Sequence, residues 1–451
     1  MTAGGLQTRP LWQGRTLAVL GIVLCAFSLR SAVASLSPVV DLIGRDFPLS
    51  PAIIGLIGTA PPVCFALFGL LTPLFERRLG LERVAVIALS AVTLGLIARG
   101  VAVNAVTLVI ATALVFAGVG MANILMPPLV KKYFADRMGL MMTVYTTVMA
   151  FSTFLPPLVA VPIAETAGWR TSLSMWAVFA LAGTIPWIVM LVRDRIGASR
   201  DATAADPEPA TEQPEQEERI REGRDVSLED AVAAATGPIV VAPSNGRIFA
   251  RMPRIPLAWA LAAVFATSST MAYAAFAWLP TILVQYEGVS AQAAGPLLSL
   301  FAFIGLPASL VVPLLVVRFR ATTPLYIVGA LGGLIGALGL ILWNRPELAW
   351  LWVSLFGLVG LLFPLALVLI SIRAREPETA VALSGFVQSL GYTVAAVFPV
   401  LLGVLHTTTG GWQVPLWVLA IMLVLSIPAG VVVGRPRTVE AAWERRNGRR
   451  W

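Results

Sequence analysis

A single charged residue stands in the middle of the first long apolar segment of the chain. The stretch VLCAFSLRSAVASLSP runs from Val23 to Pro38 and contains Arg30, and no other residue between Thr16 and Val40 is charged. A guanidinium is always charged and carries five N–H donors in a planar fork, which suits carboxylates and other anions. The residue type therefore predicts contact with an anion or with an electron-rich polar group.

Carboxylates that could neutralise Arg30 within the chain are remote in sequence. None of the 24 Asp and Glu residues falls in the centre of an apolar segment. The nearest along the chain is Asp41, which a helix would place about 16 Å away at 1.5 Å per residue. We therefore expect Arg30 to contact a substrate. The alternative is that it locks two helices together through backbone carbonyls or hydroxyls.

Other polar side chains also lie inside apolar segments, where buried amides and phenols need partners. Each either joins two helices by a hydrogen bond or contributes to a binding site. The candidates for substrate binding beside Arg30 are Asn123, Tyr145, Tyr273, Gln388 and Tyr392. The hydroxyls of Ser268, Ser269 and Thr270 are weaker candidates, because Ser and Thr commonly bond their own helix backbone.

The elements that must position these residues are transmembrane helices. Of the 451 residues, 58% are apolar and only 12% are charged, whereas soluble domains carry about 25% charged residues. A membrane span needs about 20 mostly apolar residues, and the chain supplies twelve such runs, numbered here as spans 1 to 12. They cover 16–40, 51–75, 84–103, 105–130, 139–163, 171–192, 257–282, 293–317, 324–343, 348–372, 379–404 and 412–433.

The distribution of basic residues predicts how the chain lies in the membrane. Arg30 is in the membrane, four arginines fall on the outer side, and the remaining 27 of the 32 Lys and Arg residues lie on the side of the N-terminus. Because cytoplasmic loops are enriched in Lys and Arg, we expect both termini in the cytoplasm of a multi-pass protein of the inner or plasma membrane. This arrangement accounts for the net charge of +8 without nucleic acid. The four outer arginines are Arg45, Arg99, Arg170 and Arg345.

The chain divides into two six-helix halves. Residues 1–192 and 257–434 hold six spans each, and a basic tail follows at 435–451. The polar segment 193–256, rich in acidic residues, Pro and Gln, is typical of a largely disordered cytoplasmic tether, with a partner-docking segment as the alternative. Shifts of 240 to 243 residues superimpose Gly55 on Gly295, Tyr145 on Gln388 and the Gly-Trp pair at Gly168 on that at Gly411. These matches predict an internal repeat.

Metal and catalytic chemistry find no support in the sequence. The two cysteines, Cys25 and Cys64, fall inside spans, and the only histidine, His406, lies at an outer helix end. Neither a metal-ligand cluster nor a nucleophile with a base is available. We therefore expect no cofactor and no enzymatic activity, and we regard a membrane-bound enzyme or sensor as a remote alternative.

Several stretches resemble a known transporter family. ANILMPPLVKKYFADRMGLMMTVYTT begins at Ala122, FAWLPTIL at Phe276 and ALSGFVQSLGYTVAAVFPVLLGVLH at Ala382. Together with SLR in span 1, they are similar to the cyanate-transporter and 2-nitroimidazole-transporter family of the major facilitator superfamily. The resemblance covers the chain except for the tether and tails. It implies an all-α fold of two six-helix repeats that move a small anion or compact polar solute, and we expect a monomer.

Departures from these family motifs limit what the resemblance says about the substrate. Ser28 and Ser31 stand where the family's span 1 motif has Asn and Pro, and Ser268 stands where relatives tend to have Gln. The loop after span 2, ERRLGLER, only loosely matches the superfamily's cytoplasmic gate motif, and Arg77 occupies its acidic position. We expect this loop to be the cytoplasmic gate, with Arg77, Arg78 and Arg83 as its charged residues.

A proton-driven drug or metabolite efflux antiporter is the alternative transporter class. Such proteins usually have an Arg in span 4 four residues before a Gly, but Leu114 precedes Gly118 here. They also carry a glycine-rich motif in span 5, whereas no Gly occurs between Gly139 and Gly168. Proton relays usually rely on membrane Asp, Glu or His, which the spans lack in their centres. These absences favour transport of an anion or electron-rich solute by alternating access.

Overall fold

The twelve predicted spans are present as helices. The structure is a computed structural model that describes residues 15–134, 138–201 and 246–447. Twelve of its helices are long and apolar enough to cross a membrane. Most of the predicted tether, from 202 to 245, lies outside the described residues, as do the two chain ends.

The N-terminal half contains spans 1 to 6. Span 1 comprises the helix Thr16–Ala34, a 3-10 turn at Ser37–Val39 and the short helix Val40–Ile43. Spans 2 to 5 are the helices Pro51–Leu79, Leu81–Gly100, Ala105–Phe134 and Met138–Ala167. Span 6 comprises Trp169–Ser174 and Ala177–Asp201 and so continues beyond its predicted end at 192.

The C-terminal half repeats this arrangement with spans 7 to 12. The continuous spans are 7, 8, 9, 11 and 12, which are Pro256–Gln285, Ala291–Phe319, Thr322–Leu342, Pro377–Thr409 and Gln413–Gly434. Span 10 is broken into Ala349–Gly357 and Leu362–Ile372 by a 3-10 turn at Leu358–Leu361. Short helices lie outside the spans at Gly246–Phe249 and Val439–Asn447.

The same local signal starts the second helix of each half. The Ser50 side chain accepts a hydrogen bond from the Ile53 backbone N–H, and the Ser290 side chain accepts one from the Ala293 backbone N–H. Such caps satisfy one of the free N–H groups at a helix N-terminus and typically stabilise it by about 1 kcal/mol. Because the two serines are 240 residues apart, the internal repeat extends to the residues that set helix boundaries.

The outer surface of the helix bundle is apolar. Leu94, Val106, Val178 and Leu425 each expose more than 60% of their surface. A soluble protein rarely exposes contiguous apolar surface of this extent, whereas hydrocarbon solvates it at no cost. The surface composition therefore agrees with a membrane environment.

The two halves meet where spans 2 and 11 cross and where spans 5 and 8 cross. A Cβ atom on Gly55 would lie 2.7 Å from the Pro399 carbonyl oxygen, and one on Gly295 would press on the Pro157 carbonyl oxygen. Both glycines therefore allow the backbones to approach closely. We call this end of the bundle, which contains Gly55, Pro157, Gly295 and Pro399, the sealed end.

Hydrogen bonds also join the halves at the sealed end. The Thr59 hydroxyl donates to the Ala396 carbonyl oxygen at 2.7 Å, and the Ser37 hydroxyl donates to the Ala277 carbonyl oxygen at 3.3 Å. Gln292 Nε2 donates to Glu165 Oε1 at 2.7 Å. At the opposite end, Glu82 binds Lys132 and Tyr133 within the N-terminal half. The halves are thus held together at the end opposite to the start of span 1.

Candidate functional site

A central cavity of about 200 Å³ lies between the two halves, at the middle of the spans that line it. Spans 1 and 5 form its wall in the N-terminal half, and spans 7, 8, 10 and 11 form the rest. The broken segment of span 10 contributes Gly357 and Gly360, and Gly305 of span 8 faces them. The absence of side chains on these glycines leaves space at mid-membrane.

Arg30 lies in the wall of this cavity and is half-buried. Its guanidinium is within hydrogen-bonding reach of the Tyr273 phenol, and the phenols of Tyr145 and Tyr392 are close enough to interact with its charge. In the part of the chain that the structure describes, Arg30 has no carboxylate partner. One phenol oxygen cannot occupy five N–H donors, so donors remain for a ligand.

Few other polar groups in the cavity are unoccupied. The Ser269 hydroxyl lines the cavity and has no hydrogen-bond partner among the described residues. The hydroxyls of Thr153 and Ser309 instead donate to backbone carbonyls of their own helices at 2.9 and 3.0 Å. Arg30 and Ser269 are therefore well placed to bind a polar guest.

Aromatic rings form much of the remaining wall. The ring centroids of Tyr273 and Tyr392 are 6.3 Å apart at 60°, and Tyr392 packs edge-on against Phe265 at 5.1 Å. Phe276 and Phe301, 6.2 Å apart, also line the cavity. Aromatic faces and edges suit flat, polarisable ligands. The site combines one cation with a flat, mostly apolar surround.

Three of the six predicted substrate-binding residues line the cavity and three do not. Arg30, Tyr273 and Tyr392 are in its wall. Tyr145 is almost fully buried beside Cys25 and Arg30, behind the wall. Gln388 is buried and donates to the Ser384 hydroxyl at 2.6 Å on its own helix. Asn123 is half-buried and also lies outside the wall.

Arg99, which the charge distribution assigns to the outer side, is buried within the helix bundle and not exposed in a loop. Its side chain is fully buried in span 3. Nε donates to the Thr112 hydroxyl at 3.1 Å, Nη1 donates to the Ala32 carbonyl oxygen at 2.7 Å, and the guanidinium lies 5.1 Å from the Phe116 ring centre. The helix continues to Gly100, and its buried face includes Val92 and Leu96. Arg99 follows Val92 and Leu96 at helical spacing and so lies on the same buried face. This spacing was the signal in the sequence that could have predicted its burial.

The predicted gate loop is a tight turn. Spans 2 and 3 are joined by Gly80 alone, which has a φ of 83°. Arg78 and Arg83 are exposed, and the side chain of Arg77 lies outside the described part of the chain. Sequence reasoning missed Glu82, which is buried and accepts hydrogen bonds from Lys132 and from the Tyr133 hydroxyl. The carboxylate of this loop therefore joins spans 3 and 4.

The cavity offers groups that can bind a polar solute: a cation, a hydroxyl and aromatic surface. Among the described residues, no group of three His, Cys, Asp or Glu side chains could hold a metal ion. Cys25 and Cys64 are both buried as free thiols.

Two relatives with named substrates match the chain over most of its length. A 2-nitroimidazole transporter of Escherichia coli is 28% identical over 429 residues, covering 95% of this chain and 98% of the relative. The cyanate transport protein CynX of the same organism is 23% identical over 398 residues, covering 87% and 91%.

The architecture and the family comparison agree. The structure of the proton:xylose symporter XylE bound to 6-bromo-6-deoxy-D-glucose has a TM-score of 0.58 and 16% identity, covering 95% of this chain and 98% of that one. This likeness shows a shared fold. The family model described as Major Facilitator Superfamily matches residues 22–396. The chain therefore belongs to the major facilitator superfamily of membrane transporters.

Proposed function

We propose that the protein carries a compact, flat anion or electron-rich heterocycle across the inner or plasma membrane by alternating access. Arg30 contacts the solute, Ser269 offers a second hydrogen bond, and Tyr273 and Tyr392 pack against it. Asn123, Tyr145 and Gln388 remain candidates for contact in another conformation of the protein. The observation that carries the proposal is an arginine in a mid-membrane cavity that no described carboxylate neutralises.

The charge of Arg30 determines the class of solute. A charged side chain at a helix centre costs roughly 2.5–3.5 kcal/mol on insertion scales. A permanent cation is retained there at this cost only if it gains favourable contacts, and an anion supplies charge-assisted hydrogen bonds. A cationic solute would meet repulsion in the same place. The site therefore favours anions and polarisable acceptors.

The aromatic lining of the cavity favours a flat solute. Tyr273, Tyr392, Phe276 and Phe301 line a space of about 200 Å³, which has ample room for a small molecule. Cyanate and 2-nitroimidazole, the solutes in the names of the two relatives, are both compact and rich in acceptors. These names support the class of solute proposed for this chain.

Contacts at the sealed end support alternating access. In transporters built from two repeats, the substrate site lies near mid-membrane and the halves rock around it. The halves touch at Gly55, Thr59 and Gly295 on one side of the cavity. The predicted position of the basic loops in the cytoplasm supports assigning the sealed end to the outer side, so we interpret the conformation as inward-facing.

A ligand screen followed by flux measurements tests the proposal. Purified protein is heated with cyanate, 2-nitroimidazole, benzoate or choline at several pH values, and the shift in the unfolding midpoint is recorded. We expect stabilisation by one or more of the first three and none by choline. Each stabilising solute is then tested for uptake into proteoliposomes.

Two matched substitutions make the screen specific to the cavity. Arg30→Lys keeps the charge but loses the two-pronged geometry of the guanidinium, and we expect it to weaken stabilisation and uptake. Arg345→Lys makes the same exchange at an exposed position and should behave like the wild type. Stabilisation by choline alone, or unaltered uptake by Arg30→Lys, would contradict the proposed solute class.

A further inference from the structure

We propose that Arg99 forms a second anion subsite, through which the transported anion passes between Arg30 and the sealed end. This inference rests on the proposed function, because it extends the path of the anion transported there. The ligand is a small monoanion, such as a halide or a linear anion of about three non-hydrogen atoms. The argument rests on an unoccupied buried donor, a cavity beside it and the position of that cavity.

The Arg99 guanidinium has a free donor in spite of its complete burial. Nε and Nη1 bind the Thr112 hydroxyl and the Ala32 carbonyl oxygen, but Nη2 has no hydrogen-bond partner among the described residues. Buried polar groups are nearly always hydrogen-bonded, and an orphan requires an explanation such as an ion or water. Nη2 is therefore a vacant donor on a cationic group.

No carboxylate compensates this charge in the described part of the chain. The ion pairs there join Lys132 to Glu82 and Arg170 to Asp46, and every partner of Arg99 is an oxygen of a neutral group or the Phe116 ring. Buried charges in proteins are normally paired. An anion bound at Nη2 would supply the missing counter-charge.

A small cavity, the Arg99 pocket, lies beside this guanidinium. Its volume is about 30 Å³, and Arg99, Ser37 and Tyr273 contribute polar side chains to its lining. A space of roughly 10–15 Å³ on this scale holds one water molecule. The pocket therefore has room for about two water-sized atoms, which suits a halide or part of a linear anion.

The position of the Arg99 pocket places it on the transport path. It shares Val33, Tyr273 and Phe276 with the central cavity. Its opposite wall includes Gly58 and Ala277, which are in contact across the two halves at the sealed end. The pocket thus lies between the central cavity and the sealed end, and parting of the halves at Gly58 would open it to the outside.

Tyr273 lines both the central cavity and the Arg99 pocket. Its phenol is within reach of Arg30, while its side chain also lines the Arg99 pocket. A change in this side chain would connect the two spaces. Successive sites of moderate affinity allow an ion to enter and leave without a deep trap, so Arg99 takes over the anion that Arg30 releases.

Bromide is the probe for this subsite, because it fits the pocket and can be located by anomalous scattering. Crystals of the full-length wild-type protein grown with sodium bromide should show an anomalous peak within hydrogen-bonding distance of Arg99 Nη2. Water alone at this position, in crystals that show bromide elsewhere or nowhere, would overturn the inference.

Variants test the same subsite in solution. Arg99→Gln should lose at least half of the bromide-induced rise in the unfolding midpoint, and Arg99→Lys, which keeps a charge, should retain more of it. The control is Arg373→Gln, because Arg373 is also buried with an unpaired Nε but lines neither cavity. An equal loss in Arg373→Gln, or none in Arg99→Gln, would contradict the subsite. Failure of Arg99→Gln to fold leaves the crystallographic result decisive.

The outcome is distinguishable from failure of the proposed function. Loss of anion uptake in Arg30→Lys tests the central site, whereas the bromide peak at Arg99 does not depend on which solute is transported. If bromide binds at Arg99 but no anion is taken up, anion binding at Arg99 stands, while its role in transport fails together with the proposed function. If anions are taken up and bromide is absent from Arg99, the subsite fails alone.

Discussion

Among the described residues, the Tyr273 phenol lies within hydrogen-bonding reach of Arg30, and this contact crosses from one half of the protein to the other. The contact orients the guanidinium while most of its donors stay available. The same pair would separate or reorient when the halves move. The residue proposed to recognise the solute would thus also respond to the conformational state.

Tyr273→Phe removes only the phenol oxygen and leaves the ring. We expect KM for the transported anion to rise about 2- to 10-fold, because the phenol acts through the orientation of Arg30 and its loss should cost about as much as one ordinary hydrogen bond, about 0.5–1.5 kcal/mol, while the unfolding midpoint changes little. The measurement is the concentration dependence of uptake into proteoliposomes. Tyr286→Phe is the control, since the Tyr286 hydroxyl binds the Ile341 carbonyl oxygen far from the cavity. A change as large in the control as in Tyr273→Phe would show that the phenol has no specific role.

Glu287 is a buried acid outside the spans, between spans 7 and 8. It is 1% exposed, and burial raises its pKa to about 7. Because the pKa is raised in the folded state, its contribution to stability is fully present below about 4.5 and is lost as pH rises through about 7. Ionisation of the buried carboxylate thus destabilises the protein at alkaline pH.

Glu287→Gln removes this ionisation. We expect the variant to have a higher unfolding midpoint than the wild type at pH 8, by a few degrees, and the difference to shrink or vanish near pH 4.5. Thermal unfolding of both proteins across this pH range measures the effect. A difference that does not vary with pH would show that Glu287 does not titrate in this window.

Sequence reasoning found Arg30 because no charged residue lies near it in the chain. It missed the burial of Arg99, because a charge count assigns a residue near the end of a span to the adjacent loop. The direction in which such a side chain turns depends on neighbours such as Ala32 and Thr112, which are distant in sequence. Tertiary contacts of this kind are not encoded in one local pattern.

At the scale of elements, two helix crossings seal one side of the transporter. Span 2 meets span 11 at Gly55, and span 8 meets span 5 at Gly295. The two glycines are 240 residues apart, so equivalent positions of the repeat make equivalent contacts with the opposite half. Opening the sealed end requires both crossings to part.

Gly55→Leu should prevent the two halves from closing together at the sealed end. Its Cβ would lie 2.7 Å from both the Pro399 carbonyl oxygen and the Val400 Cα atom, and backbone atoms cannot move aside without separating the helices. We expect spin labels at Thr166 and Thr408, both exposed at this end, to lie farther apart than in the wild type. Double electron–electron resonance spectroscopy, on protein in which Cys25 and Cys64 are replaced, measures the distance between the two labels. We also expect transport by the variant to fall.

Gly411→Leu is the matched control for this crossing. Gly411 lies at the same end, but a Cβ there would meet nothing within 4 Å. The label distance in Gly411→Leu should equal that of the wild type. An unchanged distance in Gly55→Leu would show that the crossing does not set the conformation.

The sequence repeat predicted the element boundaries better than the site. Gly55, Gly295 and the serine caps occupy equivalent positions because backbone geometry repeats between the halves. Tyr145 and Gln388 also superimpose, yet neither side chain reaches the cavity wall. The Gln388 amide instead bonds Ser384 one turn away, since each side chain responds to its own surroundings.

At the scale of the whole molecule, two half-bundles enclose a mid-membrane cavity. The twelve spans followed from composition and length, because a bilayer imposes helices of about 20 apolar residues. The shape of the cavity did not follow, since it depends on the packing of six spans from both halves. The fold was therefore more predictable than the substrate-binding surface.

Deletion of residues 205–240 tests the interpretation of the segment that joins the halves. These residues are polar and poor in aromatics, so we expect a linker role and transport rates within about twofold of the wild type. Uptake into proteoliposomes, with insertion and folding verified by size-exclusion profile, is the measurement. Loss of uptake in a folded deletion variant would assign the segment a further role.

The most direct test of the account is solute counterflow by Arg30→Ala. Loss of charge-assisted hydrogen bonds worth about 1.5–3 kcal/mol predicts a roughly 10- to 100-fold fall in exchange of the anion identified by the ligand screen, in a protein that still inserts and folds. Exchange at the wild-type rate in proteoliposomes of folded Arg30→Ala would contradict the role of Arg30 in solute contact.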